Sequence, residues 1–494
     1  MRYDVLVLGS GAGGLTAALS LARAGRKVMV LEAAADIGGM LNPFKRGRYE
    51  FDVGLHYVGQ CGPNQAMRKL LDELGLARVA FQEINPDCID RYVFDGYEVK
   101  LVKGIERWRD ALAEQWPAER DALHRFFRLM LAVDAAMRIA VRGPRATDLW
   151  PILSNVPGLV AVLRQPFGVV LARYFSDPLL RNAFAGPGDD LGVPPGRASS
   201  LSSILLLLHY LKGAYFPIGG SGALRDALVE GIETAGGELR TKAPVTRIRP
   251  GFVVEAGDTV FEADVVVSNM DVGQTVAMLD GITPDARTRR VLRPSLGTLC
   301  VFLGLDTDLV GSEVTDANIW HYGTNDIDAA YAPLFEGIIP EKVGSCFISS
   351  PSRKDPAAHV PKGHSTLELV AFVPSEPFRP WWGEKALKRG AAYQALKGEL
   401  AEKLVAVAEG YVPDLRGHVK VMETASPATV WHYVRGPDGG IYGPEQSPDQ
   451  TAWRRRFPTT GVKGLYLCGA GVLGGGVYPC MLSGSLAARM VARR

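Results

Sequence analysis

An α/β fold in two domains is predicted by three observations. Strand, glycine turn, helix and strand open the chain; strand, glycine turn and helix close it; and a long helical stretch lies between the two. At 494 residues the chain is also too long for one ordinary core.

The elements follow in order. Val5-Leu6-Val7-Leu8 is a short apolar run that stops at glycines, as a buried strand does. Leu15 to Ala24 carries apolar residues at helical spacing, Gly25 closes that helix, and Val28 to Leu31 forms a second strand ending at Glu32. From Asn64 to Ala214 the composition shifts to leucine, alanine and arginine, broken by Pro117, Pro144, Pro151, Pro157 and Pro166, which predicts a mainly helical insertion. Residues 215–271 return to mixed character, with a turn at Gly219-Gly220-Ser221-Gly222, a helix over Leu224 to Thr234, and strands near Val245 to Ile248 and Val265 to Val267. Residues 286–424 alternate strand-like runs with one long helix near Lys385 to Ala408, suiting a sheet with helices on one side. Gly464 to Arg494 is again strand, turn and helix. The expected pieces are therefore 1–63, 215–285 and 425–494 for a discontinuous first domain, 64–214 for the helical region, and 286–424 for the sheet of an α+β second domain.

Composition narrows the function. Hydrophobic residues make up 47% and charged residues 22%, enough apolar material for a large core. Lysine and arginine exceed the acids by only two, so the basic excess that nucleic acid demands is missing. The six cysteines show no C-x-x-C spacing and no histidine clustering, which argues against a metal site and a disulfide framework. The first apolar run leaves no space for a leader ahead of it, and no segment reaches the roughly 18 apolar residues of a membrane span. A cytoplasmic protein is expected, with possible contact to a membrane surface.

The chemistry begins at Gly9-Ser10-Gly11-Ala12-Gly13-Gly14. This is G-x-G-x-x-G, placed between a strand and a helix. Gly9 permits the tight turn, Gly11 lets backbone approach a pyrophosphate, and Gly14 lets helix and strand pack closely. The helix N-terminus supplies free N–H groups to the phosphates. Glu32, at the end of the second strand, is placed to accept from a ribose hydroxyl. A dinucleotide is expected. FAD is favoured over NAD by Gly38-Gly39, by Asp52-Val53-Gly54, and by the C-terminal strand and turn, none of which an NAD dehydrogenase needs.

With these motifs the chain resembles the flavoprotein superfamily of bacterial-type phytoene desaturases, carotenoid isomerases and retinol saturases. Glu50 to Gly59 (EFDVGLHYVG) is most similar to the retinol saturase and carotenoid isomerase branch. Tyr215-Phe216-Pro217-Ile218-Gly219-Gly220 resembles the superfamily's aromatic-Pro-x-Gly-Gly element, Ala263 to Asn269 its strand ending in Ser-Asn, and Gly464 to Gly471 the desaturase signature. Two positions depart: Met40 follows Gly38-Gly39 where an arginine is common, and Val472-Leu473-Gly474 replaces Thr-His-Pro.

The resemblance implies a Rossmann-type FAD-binding domain in separated pieces plus an α+β substrate domain with a helical, membrane-associating insertion. It also implies an FAD-dependent oxidoreductase that saturates, desaturates or isomerises carbon–carbon bonds of a hydrophobic polyene, isoprenoid or acyl-lipid substrate. The residues expected to hold the cofactor are Gly9, Ser10, Gly11, Ala12, Gly13, Gly14, Glu32, Ala33, Gly38, Gly39, Met40, Leu41, Gly54, Leu55, His56, Val245, Asn269, Gly469, Ala470, Pro479, Cys480 and Met481. Of these, Pro479 to Met481 would open a last helix whose amides face the flavin's pyrimidine edge.

Gly469 to Gly474 is a second G-x-G-x-x-G. Only twenty residues follow it, too few for another βαβ unit, so no nicotinamide domain is expected. The electron partner is then a quinone, oxygen or a diffusible reductant. Catalytic candidates are His56 and Tyr57, beside the Asp-x-Gly element, and His432 and Tyr433, which precede the loop Gly436 to Gly443. Two further aromatic–histidine pairs stand at His209-Tyr210 and Trp320-His321-Tyr322. Arg138, Arg142, Arg145, Arg164, Arg173, Arg181 and Lys212 flank apolar helical runs, a pattern that suits an interfacial surface on anionic lipid. The rival readings are a flavin amine oxidase and a flavin-bound lipid carrier without catalysis.

Overall fold

The computed structural model describes residues 1–142, 146–385 and 388–493; Pro144 and Arg145 lie outside them, as does the side chain of Arg142. Two seven-stranded sheets organise the chain. In the first, strand Arg2–Leu8 lies parallel to Val28–Leu31 on one side and to Thr259–Ser268 on the other. The short strand Leu465–Leu467 joins the far side of Thr259–Ser268, also parallel. The two ends of the chain thus share one sheet, separated by a single strand. Val5, Val7, Val28 and Val30 face the core formed by helices Ala12–Arg23, Gly220–Thr234 and Val477–Ala492, while Leu6, Leu8 and Leu31 face a second core on the other side.

The second sheet runs Val419–Ala425, Gly297–Leu305, Ser365–Val373, Ser345–Ser349, Asn318–Tyr322, Asp90–Phe94 and Tyr97–Leu101. Its period-two alternation is strict. Leu299, Val301, Leu303, Leu367, Leu369 and Ile348 face the core that includes helix Ala391–Ala408. Cys300, Phe302, Val370, Phe372, Phe347, Trp320 and Tyr92 face the core shared with the helices of 105–211. Helices therefore cover both faces, where the sequence predicted one. The long helix begins at Ala391 and not near Lys385, because Gly390 supplies its N-terminal boundary.

The expectation of helix across 64–214 missed a hairpin. Asp90–Phe94 and Tyr97–Leu101 pair antiparallel around Asp95-Gly96, with Gly96 at φ +81°, the left-handed geometry that an Asp-Gly turn favours. This hairpin extends the second sheet through the parallel pairing of Asp90–Phe94 with Asn318–Tyr322. It carries Asp90 onto the face that also bears Tyr92, where Asp90 meets Asn318 and Tyr57.

Candidate functional site

Gly9 adopts φ +92° and its amide donates to the Leu31 carbonyl at 2.8 Å, fixing the turn on the sheet edge. A Cβ on Gly14 would collide with the Gly9 carbonyl oxygen, and one on Gly11 would stand 2.7 Å from Asn269 Nδ2. A Cβ on Gly13 would meet Asn269 Oδ1 at 2.7 Å, the Gly469 nitrogen at 2.8 Å and the Cys480 carbonyl oxygen at 2.9 Å. The opening turn, Asn269 and the terminal turn therefore close on one another. Cys468 and Asn269 extend the same ladder, their amides donating to Ser268 and Leu8 carbonyls at 2.8 Å each.

Glu32 accepts from the Ser10 amide at 2.9 Å, the Ser10 hydroxyl at 2.6 Å and the Ala34 amide at 2.8 Å, and the Gly38 amide donates to Ser10 Oγ at 2.9 Å. Ala33 is exposed at the rim, and Ala243, two residues before Val245, donates its amide to the Glu32 carbonyl. Met40 packs on Gly54, whose Cβ would lie 2.9 Å from Met40 Cε; Leu41, Leu55 and Met481 are buried in the same core. Ala12 and Val477 open the first and last helices, with Pro479 and Cys480 in the last helix's first turn. The side-chain-free cradle at Gly11, Gly13 and Gly39, roofed by a helix N-terminus and flanked by Glu32, fits the diphosphate and ribose of FAD.

Beyond the cradle lies a buried polar network that the sequence did not announce. His56 Nδ1 and Glu368 Oε2 are 2.8 Å apart. Burial and the Lys354 charge push the imidazole down to about 4, so it is neutral at physiological pH. Burial likewise pushes Glu368 up to about 8 and Lys354 down to about 8. Lys354 Nζ donates to the His56 carbonyl at 3.0 Å, to Ser349 Oγ at 2.6 Å and to Asn318 Oδ1, and Asn318 Nδ2 donates to Asp90 Oδ1 at 2.8 Å. Tyr57 donates to Asp190 at 3.1 Å and approaches Asp90 at 3.3 Å, and its ring lies parallel to that of Tyr210 at 4.1 Å.

Asp190 also meets the hydroxyls of Tyr210 and Tyr442. Burial, with the Asp90 charge added, pushes it up to about 7. Tyr442 joins the two halves: a Cβ on Gly475, in the terminal turn, would stand 2.9 Å from its ring and backbone. His209 packs against Tyr478 and accepts from the Gly59 amide at 2.8 Å. Segments 54–59, 209–210, 442 and 474–478 thus converge on one space.

His56 and Tyr57 stand within this network. His432 and Tyr433 do not join it. They sit on helix Pro427–Val434, which packs near Gly39–Leu41, but Tyr433 is 57% exposed and neither side chain has a hydrogen bond to the network among the described residues. His321 instead bonds Tyr411 at 2.8 Å on the other side of the sheet. The acids that sequence reasoning missed carried one signal. Glu368 interrupts Leu367 to Val373, a strand buried throughout. A lone carboxylate in such a strand requires partners, and here they are His56 and the Lys354 charge.

Fold and cradle together define an FAD-dependent oxidoreductase. Residues 12–492 match the family described as flavin containing amine oxidoreductase, and the chain belongs to that family. It is 28% identical to an all-trans-retinol 13,14-reductase of Danio rerio, over 94% of this chain and 82% of that protein. It is 23% identical to a chloroplastic prolycopene isomerase of an Oncidium hybrid cultivar, over 99% of this chain and 84% of that one. The fold is shared with a solved oxidoreductase from Methanosarcina mazei, at TM-score 0.65, 16% identity and full coverage of both chains.

Proposed function

We propose that the protein moves hydrogen across a carbon–carbon double bond of a polyene isoprenoid, with Asp190 and Tyr57 handling the proton. One observation carries this reading: a carboxyl whose pKa is raised by burial, ringed by Tyr57, Tyr210 and Tyr442, lies beside the terminal turn of the flavin cradle. Likeness to a retinol reductase and a prolycopene isomerase supports the substrate class. FAD, when bound, supplies the hydride chemistry. The chain's own residues bind, orient and manage protons.

In the saturating direction the double bond takes a hydride at one carbon and a proton at its neighbour. Tyr57 gives its hydroxyl proton to that second carbon, and Asp190, protonated up to about pH 7, turns from acceptor to donor, restores the tyrosine proton and is then re-protonated. Tyr57 is well suited as a conduit, because burial and the nearby acids hold its own pKa far above the ordinary tyrosine value. His56, neutral and anchored at Nδ1 by Glu368, keeps Nε2 without a protein partner among the described residues, and we assign it to the cofactor side of the site. A quinone, oxygen or diffusible reductant exchanges electrons with the flavin. Anaerobic photoreduction of the holoenzyme followed by mixing with all-trans-retinol or an acyclic carotene tests the reading. Flavin reoxidation in step with loss of polyene absorbance is expected; no reoxidation with any polyene would refute it.

Substrate delivery from a lipid surface is the finer part of the proposal. Trp150 and Leu153 are 76% and 67% exposed, and Val156, Val160 and Val169 are also exposed, with Arg164 and Arg173 on the same short helices. Exposed apolar side chains rimmed by cations suit anionic headgroups. No helix among the described residues is long and apolar enough to cross a membrane. Pelleting with anionic liposomes is expected at low salt and should fall in a Trp150→Ala, Leu153→Ser variant; wild-type protein wholly in the supernatant would end this part.

A further inference from the structure

Arg455 is 2% exposed. Among the described residues no carboxylate lies within ion-pair distance of it, and its Nε has no hydrogen-bond partner. Its best contact is a donation from Nη2 to the Ala470 carbonyl at 2.6 Å; Nη1 reaches Gln446 Oε1 and the Gln450 carbonyl only at 3.4 and 3.5 Å. The neighbouring ionisable groups offer no compensation. They are Arg456, which repels it, and the thiol of Cys480, which burial pushes up to about 12 and so keeps neutral. Burial accordingly pushes the Arg455 guanidinium down to about 10. A buried cation left without a counter-charge is strongly destabilising, which points to an anion that reaches Arg455 from outside the chain.

The position identifies that anion. Ala470 belongs to the terminal turn, Cys480 to the first turn of the last helix, and Gln446 lies 3.4 Å from where a Cβ on Gly474 would be. All three belong to the part of the cradle that runs from the closure at Gly13 toward Tyr442 and Tyr478.

We infer that Arg455 is the counter-charge of the reduced, anionic flavin ring, a positioning residue that raises the cofactor's reduction potential from behind the Ala470 turn. The inference rests on FAD filling the cradle and is independent of the polyene reading. Arg455 adds a full charge to the partial charge of the last helix's N-terminus, and both act in a site of low dielectric.

Sulfite affinity and the two-electron midpoint potential of the purified holoenzyme test it without any substrate. Sulfite adds to oxidised flavin and leaves it anionic, so its binding reports the same charge. Arg455→Gln should bind sulfite at least tenfold more weakly, with a midpoint potential lower by about 30 mV for each tenfold. Arg455→Lys should stay near wild type. Gln446→Glu keeps the arginine but gives it a carboxylate partner, and should weaken sulfite binding in the same direction even if Arg455→Gln loses FAD. Unchanged sulfite affinity and potential in Gln446→Glu, or in FAD-loaded Arg455→Gln, would overturn the inference and leave Arg455 as a brace for the turn.

Discussion

The cofactor cradle and the acid network are neighbours built on opposite principles. The cradle is made of backbone: Gly9, Gly11, Gly13 and Gly14 within six residues, closed from the other end of the chain by Gly469 and by Gly484 packing on the Gly13 carbonyl. Its specificity lies in side chains that are missing. The network is made of side chains, with Tyr57, Asp90, Asp190, Asn318, Lys354, Glu368 and Tyr442 drawn from seven separate stretches. The difference teaches where each is vulnerable. The cradle fails when an atom is added, and the network fails when a proton or a partner is taken away.

The sharpest break in that comparison is Gly14→Ala. The added methyl has nowhere to go but into the Gly9 carbonyl, so the purified protein should be colourless and should not take up FAD on reconstitution, measured by flavin absorbance. Asp190→Asn and Tyr57→Phe should do the reverse. Both are expected to keep FAD and lose about 10²- to 10⁴-fold in polyene turnover, the usual worth of a positioned acid. Loss of FAD from these variants, or retention of FAD by Gly14→Ala, would erase the distinction between the two regions.

The network should also leave a signature in stability. Asp190 has its folded pKa raised to about 7 from an ordinary value near 3.8, so between those limits the native state holds a proton that the unfolded chain has released. Stability contributed by this group is therefore present in full below about pH 4 and lost as pH rises through 7. Asp190→Asn removes the dependence. Urea unfolding should show the variant gaining on wild type from pH 5 to pH 8, by up to roughly 2.7 kcal/mol. A constant difference across that range would mean that Asp190 is not buried as a neutral acid. The smallest expected effect belongs to Glu32→Gln, which retains shape but loses a charged acceptor. FAD affinity should fall by about 1.5–3 kcal/mol, measured by titration of the apoprotein, with turnover at saturating FAD unchanged.

Much of the fold could be read from the sequence because local signals and spatial neighbours coincide there. The turn at Gly9, the acid at Glu32 and the strand before Gly469 lie within elements that periodicity marks, and the Asp95-Gly96 hairpin was legible from its turn residues although the helical reading passed over it. The network was not legible, for a physical reason. Asn318 stands opposite Asp90, and Ser349 opposite Glu368, only through the register of the second sheet, and no local pattern encodes which strands will be adjacent. Asp190 follows Gly186-Pro187-Gly188, which reads as a surface turn until the surrounding elements bury Asp189 and half-bury Asp190. His56 and Tyr57 could be found because they abut the Asp-x-Gly element. His432 and Tyr433 shared the same residue types without the same surroundings.

The measurement that bears most directly on the account is a single turnover of reduced holoenzyme with a polyene in heavy water, analysed by mass spectrometry of the product. Solvent-derived deuterium on both neighbouring carbons is expected in wild type, because the hydrogen carried by reduced flavin also exchanges with solvent, with Asp190→Asn forming the same product far more slowly. A product deuterated at only one of the two carbons, or an Asp190→Asn enzyme as fast as wild type, would contradict it.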